Sequence, residues 1–329
     1  MRDTGPPGSL GPASLERLMS WRRKLLLAGA IVLGVPLTAI VAAVLVMLAL
    51  DRSTATLVSA GLKREYLLHV PPGYDRTRPT PLVISLHGAS LWPALQMKIS
   101  QWNRVADANG FIVVYPSASG FPKIWHVDRV PGLQDDVRFI ADLIDDLKSR
   151  YNIEAARIYA NGMSNGGGMA YVLSCTLSDR IAAIGMVAAA QSLAWDWCTD
   201  TRPVPMIDFH GTADPVIPYA GGPSPVGPAA TFPSVPGWTA NWARRNGCRG
   251  APRESVVAAD VTLSLQDDCT NGATVALYTI KGGGHAWPGG TAMPAWIVGP
   301  TTREVDASAL MWRFFQDHPL ADAVPPRAH

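Results

Sequence analysis

The chain has 329 residues, 48% of them hydrophobic and only 16% charged, with a formal net charge of +2 at pH 7. That length admits one large α/β domain or two smaller ones. Arg2, Arg17, Arg22, Arg23 and Lys24 face only Asp3 and Glu16 in the first 24 residues, so the remainder is near-neutral, carries no basic stripe and is a poor nucleic-acid binder.

Residues 1–24 read as a polar, basic tail on the cytoplasmic side. Residues 25–50, "LLLAGAIVLGVPLTAIVAAVLVMLAL", hold no charge. As a helix the run would span roughly 39 Å, more than the ~30 Å hydrocarbon core of a bilayer. With the basic flank inside, the rest of the chain is exported, as a membrane-anchored domain or, if the segment is a long signal peptide cut near Val58-Ser59-Ala60, as a secreted one. Residues 51–60 read as a linker, 61–320 as one folded domain and 321–329 as a flexible tail.

In that domain, short apolar runs alternate with amphipathic stretches. "REYLLHV", "PLVISLHG" (81–88) and "GFIVVYPS" (110–117) read as strands, and "LQMKISQWNRVADANG" between the last two has helical spacing. In "DDVRFIADLIDDLKSRY" (135–151), Val137, Ile140, Leu143, Ile144 and Leu147 line one face of a helix. "ARIYANGMS", 181–190, 203–211 and 274–282 read as further strands, and 306–319 as a closing helix. Buried strands alternating with helices predict an α/β fold, its central sheet mostly parallel and helices on both faces. The Gly/Pro-rich stretch 219–237 is long enough for a lid or pocket wall.

Gly162-Met163-Ser164-Asn165-Gly166 fits G-x-S-x-G between a strand and an apolar helix, the setting of a nucleophile elbow. A serine hydroxyl needs a base within reach and an acid to orient that base. His285, in "KGGGHAWPGG", and Asp214, in "HGTADPVIPY", each follow an apolar strand, and the chain order Ser, Asp, His is that of the α/β-hydrolase fold. The developing oxyanion needs N–H donors, for which the amides of Asn165 and Ala89 are placed, with Ser90 in reserve. His87 and His210 each precede a glycine at a strand end, where structural or oxyanion-loop roles fit better, and Asp208 lies covered within its strand. Trp92, Trp125, Trp195 and Trp197 supply either an aromatic wall or ordinary packing.

Cys175, Cys198, Cys248 and Cys269 all lie in the exported part, where an even count implies disulfides. Of three connectivities, the local pairings Cys175–Cys198 and Cys248–Cys269 close the more modest loops. Wide spacings without a histidine pair argue against zinc, and the chemistry calls for no metal or cofactor.

"SLHGAS", "NGMSNGGGMAY", "DFHGTADPVIPY", "WARRNGC", "GGGHAWPGG" and "DASALMWRFFQDHP" resemble, in order, the blocks of the polyhydroxybutyrate depolymerase/feruloyl esterase group of secreted α/β-hydrolases. The resemblance runs from about Gly61 to Pro319. It implies an eight-strand sheet, local disulfides and a triad of Ser164 as nucleophile, His285 as base and Asp214 as its partner. Trp287, in the His-x-Trp-Pro-Gly block, would line the acyl pocket. Many members carry a cysteine where Ala89 stands, and a membrane anchor is unusual among them.

The expected function is serine carboxylic-ester hydrolysis through an acyl-enzyme, on hydroxyalkanoate-type, feruloyl-type or other short acyl esters outside the cytoplasm. The alternatives are a membrane-tethered binding domain that kept the fold, or a peptidase or thioesterase of the same fold.

Overall fold

The computed structural model describes residues 53–128, 131–190, 197–198, 200–225 and 227–320. The chain divides into two units, Met1–Asp51 and Arg52–His329, and the elements below all belong to the second. The basic tail, the apolar segment 25–50, Trp195 and residues 321–329 lie outside the described residues. No helix among the described residues is long and apolar enough to cross a membrane.

Ala55–Ser59 (β1) and Leu62–His69 (β2) form an antiparallel hairpin. Ala60 and Gly61, at φ 50° and 75°, make its two-residue turn, the backbone such a hairpin demands. Much of the segment expected to be a linker is therefore an edge strand: Ala55 and Leu57 pack on the core while Val58 faces water. Next come Thr80–Leu86 (β3), Pro93–Ser100 (α1), Trp102–Asn109 (α2) and Ile112–Pro116 (β4). The helical spacing of 95–110 is split because Gln101 adopts φ 55°, capping α1 and opening α2.

Leu133–Arg150 (α3) follows the predicted apolar stripe. Asp135 and Asp136 sit in its first turn and Lys148 and Arg150 in its last, each matching the helix dipole. Leu143, Ile144 and Leu147 are fully buried, so truncating one to alanine would cost about 2–5 kcal/mol. The chain continues through Ile153–Met163 (β5), Asn165–Thr176 (α4), Ile184–Val187 (β6) and Met206–Gly211 (β7). The Gly/Pro-rich stretch then forms a small separate hairpin, Gly222–Ser224 (β8) with Gly227–Phe232 (β9), and runs into Val235–Arg245 (α5). Arg253–Ala258 (β10), Val261–Gln266 (β11), Val275–Ile280 (β12), Ala295–Val298 (α6) and Ala307–Gln316 (α7) complete the domain.

The main sheet has ten strands in the order β1-β2-β4-β3-β5-β6-β7-β12-β11-β10. Strands β4, β3, β5, β6, β7 and β12 are parallel, flanked by β1–β2 on one edge and β11–β10 on the other, all antiparallel. The eight strands the resemblance implied are thus extended by the β10–β11 hairpin. One face packs on α3, α4 and α5, the other on α1, α2 and α7. The chain leaves β3 for β4 on one side and returns to β5 on the other. The carboxyl ends of β3 and β5 therefore border the crevice where open α/β sheets bind ligands.

Candidate active site

Ser164 stands at the end of β5 in a backbone conformation rare for a residue with a side chain, φ 55° and ψ −123°. Its N–H donates to Val187 C=O at 2.9 Å, and its C=O accepts from Gly168 N–H at 3.0 Å, so the turn is held from both sides. The flanking glycines make this approach sterically attainable. A Cβ on Gly162 would fall 2.3 Å from the backbone of Gly166, and one on Gly166 would fall 2.3 Å from Leu86 C=O. Strain fixed in this way at one residue is characteristic of functional turns.

Asp214 lies in the turn after β7. Its Oδ1 accepts the N–H groups of Val216 (2.8 Å) and Ile217 (2.9 Å), and its Oδ2 accepts Nδ1–H of His285 at 2.9 Å. Burial alone would raise this carboxyl, but hydrogen bonds and charge from His210 and His285 outweigh it and hold Asp214 far below the usual carboxylate range. The two loops are stitched together: Ala213 N–H donates to Gly283 C=O at 2.9 Å, and Gly282 N–H to Thr212 Oγ1 at 2.8 Å. His285 N–H in turn donates to Val298 C=O at the end of α6. With Nδ1–H committed to Asp214, Nε2 is the ring nitrogen left uncommitted by that contact.

Ser164, Asp214 and His285 follow β5, β7 and β12, and β5-β6-β7-β12 are consecutive parallel neighbours, so all three lie at the carboxyl end of the sheet. Asp214 and His285 are in direct contact. Ser164 Oγ makes no hydrogen bond among the described residues.

The two amides expected as oxyanion donors make no backbone hydrogen bond among the described residues. Asn165 is the first residue of α4, and its N–H, pointing out of the helix start, has no partner among the described residues. The Ala89 N–H is likewise unpaired among the described residues, in a loop where a methyl on Gly88 would lie 3.5 Å from Ser164 Cβ. Ser90 is excluded from the reserve role, because its N–H donates to Lys123 C=O at 2.8 Å.

A family profile described as "Esterase PHB depolymerase" matches residues 64–193. The protein named "Putative esterase NocK", from Nocardia uniformis subsp. tsuyamanensis, is 30% identical over 273 residues, covering 76% of this chain and 78% of that one. The chain belongs to the esterase PHB depolymerase family. Feruloyl esterase B of Piromyces equi is 33% identical over 234 residues, 68% of this chain, although the match spans only 42% of that longer protein. Among solved structures, an acetyl xylan esterase from Aspergillus awamori superposes with a TM-score of 0.57 at 13% identity, over 70% of this chain and 93% of its own, a likeness of fold.

The family profile covers β2 to the Ser164 elbow and α4, while Asp214 and His285 lie beyond it. Around the elbow the structure adds contacts that the sequence did not announce. The Asn165 side chain grips the Trp125 backbone at both polar atoms: Oδ1 accepts Trp125 N–H at 2.8 Å, and Nδ2–H donates to Trp125 C=O at 3.0 Å. Trp125 Nε1–H donates to His87 C=O at 3.1 Å. Both ring nitrogens of His87 are engaged by the backbone: Nε2 accepts Ala118 N–H at 3.1 Å and Nδ1–H donates to Gly88 C=O at 2.8 Å. Burial keeps this imidazole neutral and lowers its pKa to about 4.

The expected pocket tryptophans are both buried, each 1% exposed. Trp125 packs against the His87 ring, and Trp287 Nε1–H donates to Ser308 Oγ at 3.1 Å. Among the described residues, Phe121, in the loop leading to Trp125, and Trp296, two residues before the carbonyl that holds His285, are large exposed aromatics. Both local disulfides are formed, Cys175–Cys198 and Cys248–Cys269.

Proposed function

We propose that this chain is a serine carboxylic-ester hydrolase working through an acyl-enzyme. The observation that carries the reading is the buried Asp214–His285 pair at the same end of the sheet as a strained Ser164 whose neighbouring amide is free among the described residues. Ser164 Oγ attacks the ester carbonyl as His285 Nε2 takes its proton. Asp214 holds the imidazole in the Nδ1–H tautomer and stabilises the imidazolium. The carbonyl oxygen becomes an oxyanion between the amides of Asn165 and Ala89, the former at a positive helix end. His285 then returns the proton to the departing alcohol. Water, deprotonated by His285, attacks the acyl-enzyme and releases the acid.

Feruloyl-type, hydroxyalkanoate-type and other short acyl esters are the substrate class, supported by the names of the relatives and by the exposed Phe121 and Trp296. Two disulfides support a location outside the cytoplasm. The uncharged segment 25–50 behind its basic flank would tether the domain to the membrane if it is not removed. The test is hydrolysis of p-nitrophenyl acetate and butyrate by the wild type and Ser164→Ala. Activity should vanish in the variant with an unchanged circular dichroism spectrum, and retained activity would overturn the assignment.

A further inference from the structure

A second imidazole stands behind the Asp214–His285 pair, and the ester chemistry leaves it without a role. Side chains alternate along a strand, so Asp208 and His210 of β7 share the face opposite Ile207 and Phe209. Both are fully buried. His210 Nε2–H donates to Ile217 C=O at 3.0 Å, and Ile217 N–H donates in turn to Asp214 Oδ1 at 2.9 Å. The same Nε2 lies 3.4 Å from Asp214 Oδ2, the oxygen that His285 holds. His210 therefore closes a ring of contacts around the turn that presents the triad carboxylate.

Beneath that ring, His210 Nδ1 and both carboxylate oxygens of Asp208 are buried without a hydrogen-bond partner among the described residues. Asp208 is in register between Met186 of β6 and Leu277 of β12, an apolar slot. A carboxylate there is strongly disfavoured as an isolated charge, and burial pushes Asp208 up to about 7. Burial alone would lower His210, but Asp214, Asp208 and the Ile217 carbonyl together raise it. Among the described residues Tyr219 also faces the pair, edge-on to the His210 ring at 6.0 Å, with its hydroxyl on Thr279 Oγ1. Protonation of Asp208 removes the isolated charge from the slot.

We propose that His210 is the positioning residue of the triad carboxylate, with Asp208 held as a neutral acid behind it. The proposal rests on the ester-hydrolase reading of Ser164, Asp214 and His285. Pinning Ile217 fixes the Asp214 turn. A positive charge on His210, beside Oδ2, competes with a protonated His285 for the same oxygen.

His210→Gln keeps an amide N–H in reach of Ile217 C=O but removes the charge. In the full chain acting on p-nitrophenyl acetate, kcat should fall about 3- to 30-fold with KM within about twofold. The acid limb of the kcat/KM profile should move up by about 0.5–1 pH unit, because Asp214 then stabilises the protonated base more fully. A profile that superposes on the wild type after scaling overturns the positioning role, since a merely structural histidine would change stability without moving the limb.

Asp208→Asn tests the neutral acid without reference to activity. A folded-state pKa raised to about 7 gives stability that is complete at low pH and lost as pH rises toward 7. The variant's Tm relative to wild type should therefore climb between about pH 4 and pH 7, and a constant offset overturns the neutral Asp208. If wild type neither hydrolyses the ester nor reacts at Ser164, the ester-hydrolase reading fails, while this Tm comparison still decides the state of Asp208.

Discussion

Asn165 clamps the backbone of Trp125 through its side chain, at 2.8 and 3.0 Å, and presents its own N–H to the site. One residue thus couples the start of α4 to the loop that supports the His87–Gly88 turn and, through it, the Ala89 amide. In Asn165→Ala the backbone amide survives but the clamp does not. We expect kcat/KM to fall about tenfold, with stability reduced by about 1–2 kcal/mol for two lost hydrogen bonds. Steady-state kinetics beside urea unfolding would check this. Unchanged kcat/KM would show that the clamp is irrelevant to the oxyanion site.

Gly166 admits no side chain, because a Cβ there would press on the carbonyl oxygens of Leu86 and His87 at 2.3 and 2.5 Å. Both are backbone atoms of the central sheet and its first loop, so they cannot step aside as a flexible side chain would. Gly166→Ala is expected to destabilise the fold by about 3 kcal/mol or more. Thermal unfolding measures it, and a Tm within a degree or two of wild type would contradict the geometry.

His87 predicts an acid-sensitive window of the opposite sign to that of Asp208. Its folded-state pKa is lowered from 6.5 to about 4 by burial, so its contribution is full above pH 6.5 and is lost as pH falls through about 4. The shift corresponds to about 3 kcal/mol. In His87→Gln the stability difference from wild type should shrink as pH drops from 6.5 to 4, measured by denaturant unfolding at several pH values. A difference that stays constant would mean that His87 does not titrate with folding.

The two disulfides span 23 and 21 residues of sequence. Loops of that size restrict the unfolded chain by about 3 kcal/mol each. Replacing either pair with serines should lower Tm, and reductant should lower the wild-type Tm toward the value of the doubly substituted protein. A wild-type Tm insensitive to reductant would contradict the bonds' contribution.

The elbow was legible in the sequence because its physics is local: a strained serine needs glycines beside it, and those glycines stand in the chain. Asp214 and His285 were legible through chain order and the strand preceding each. The edge hairpins were harder. Strand β1 was hidden because its inward positions over five residues are Ala55, Leu57 and the polar Ser59, and β10 is exposed along most of its length. The break at Gln101 came from a non-glycine residue with positive φ, which carries no compositional signal. His210, Asp208 and the Asn165–Trp125 clamp depend on which residues the sheet register and loops bring together. In the sequence His210 was a strand-end histidine and Trp125 either wall or packing, because neither one's partners are visible there.

The central claim is that Ser164 is an activated nucleophile, and a fluorophosphonate probe tests it most directly. Folded wild-type protein should gain one adduct, mapped by mass spectrometry to the peptide containing Ser164, and Asp214→Asn should slow its formation by orders of magnitude. An adduct elsewhere, or none in folded protein, would contradict the account.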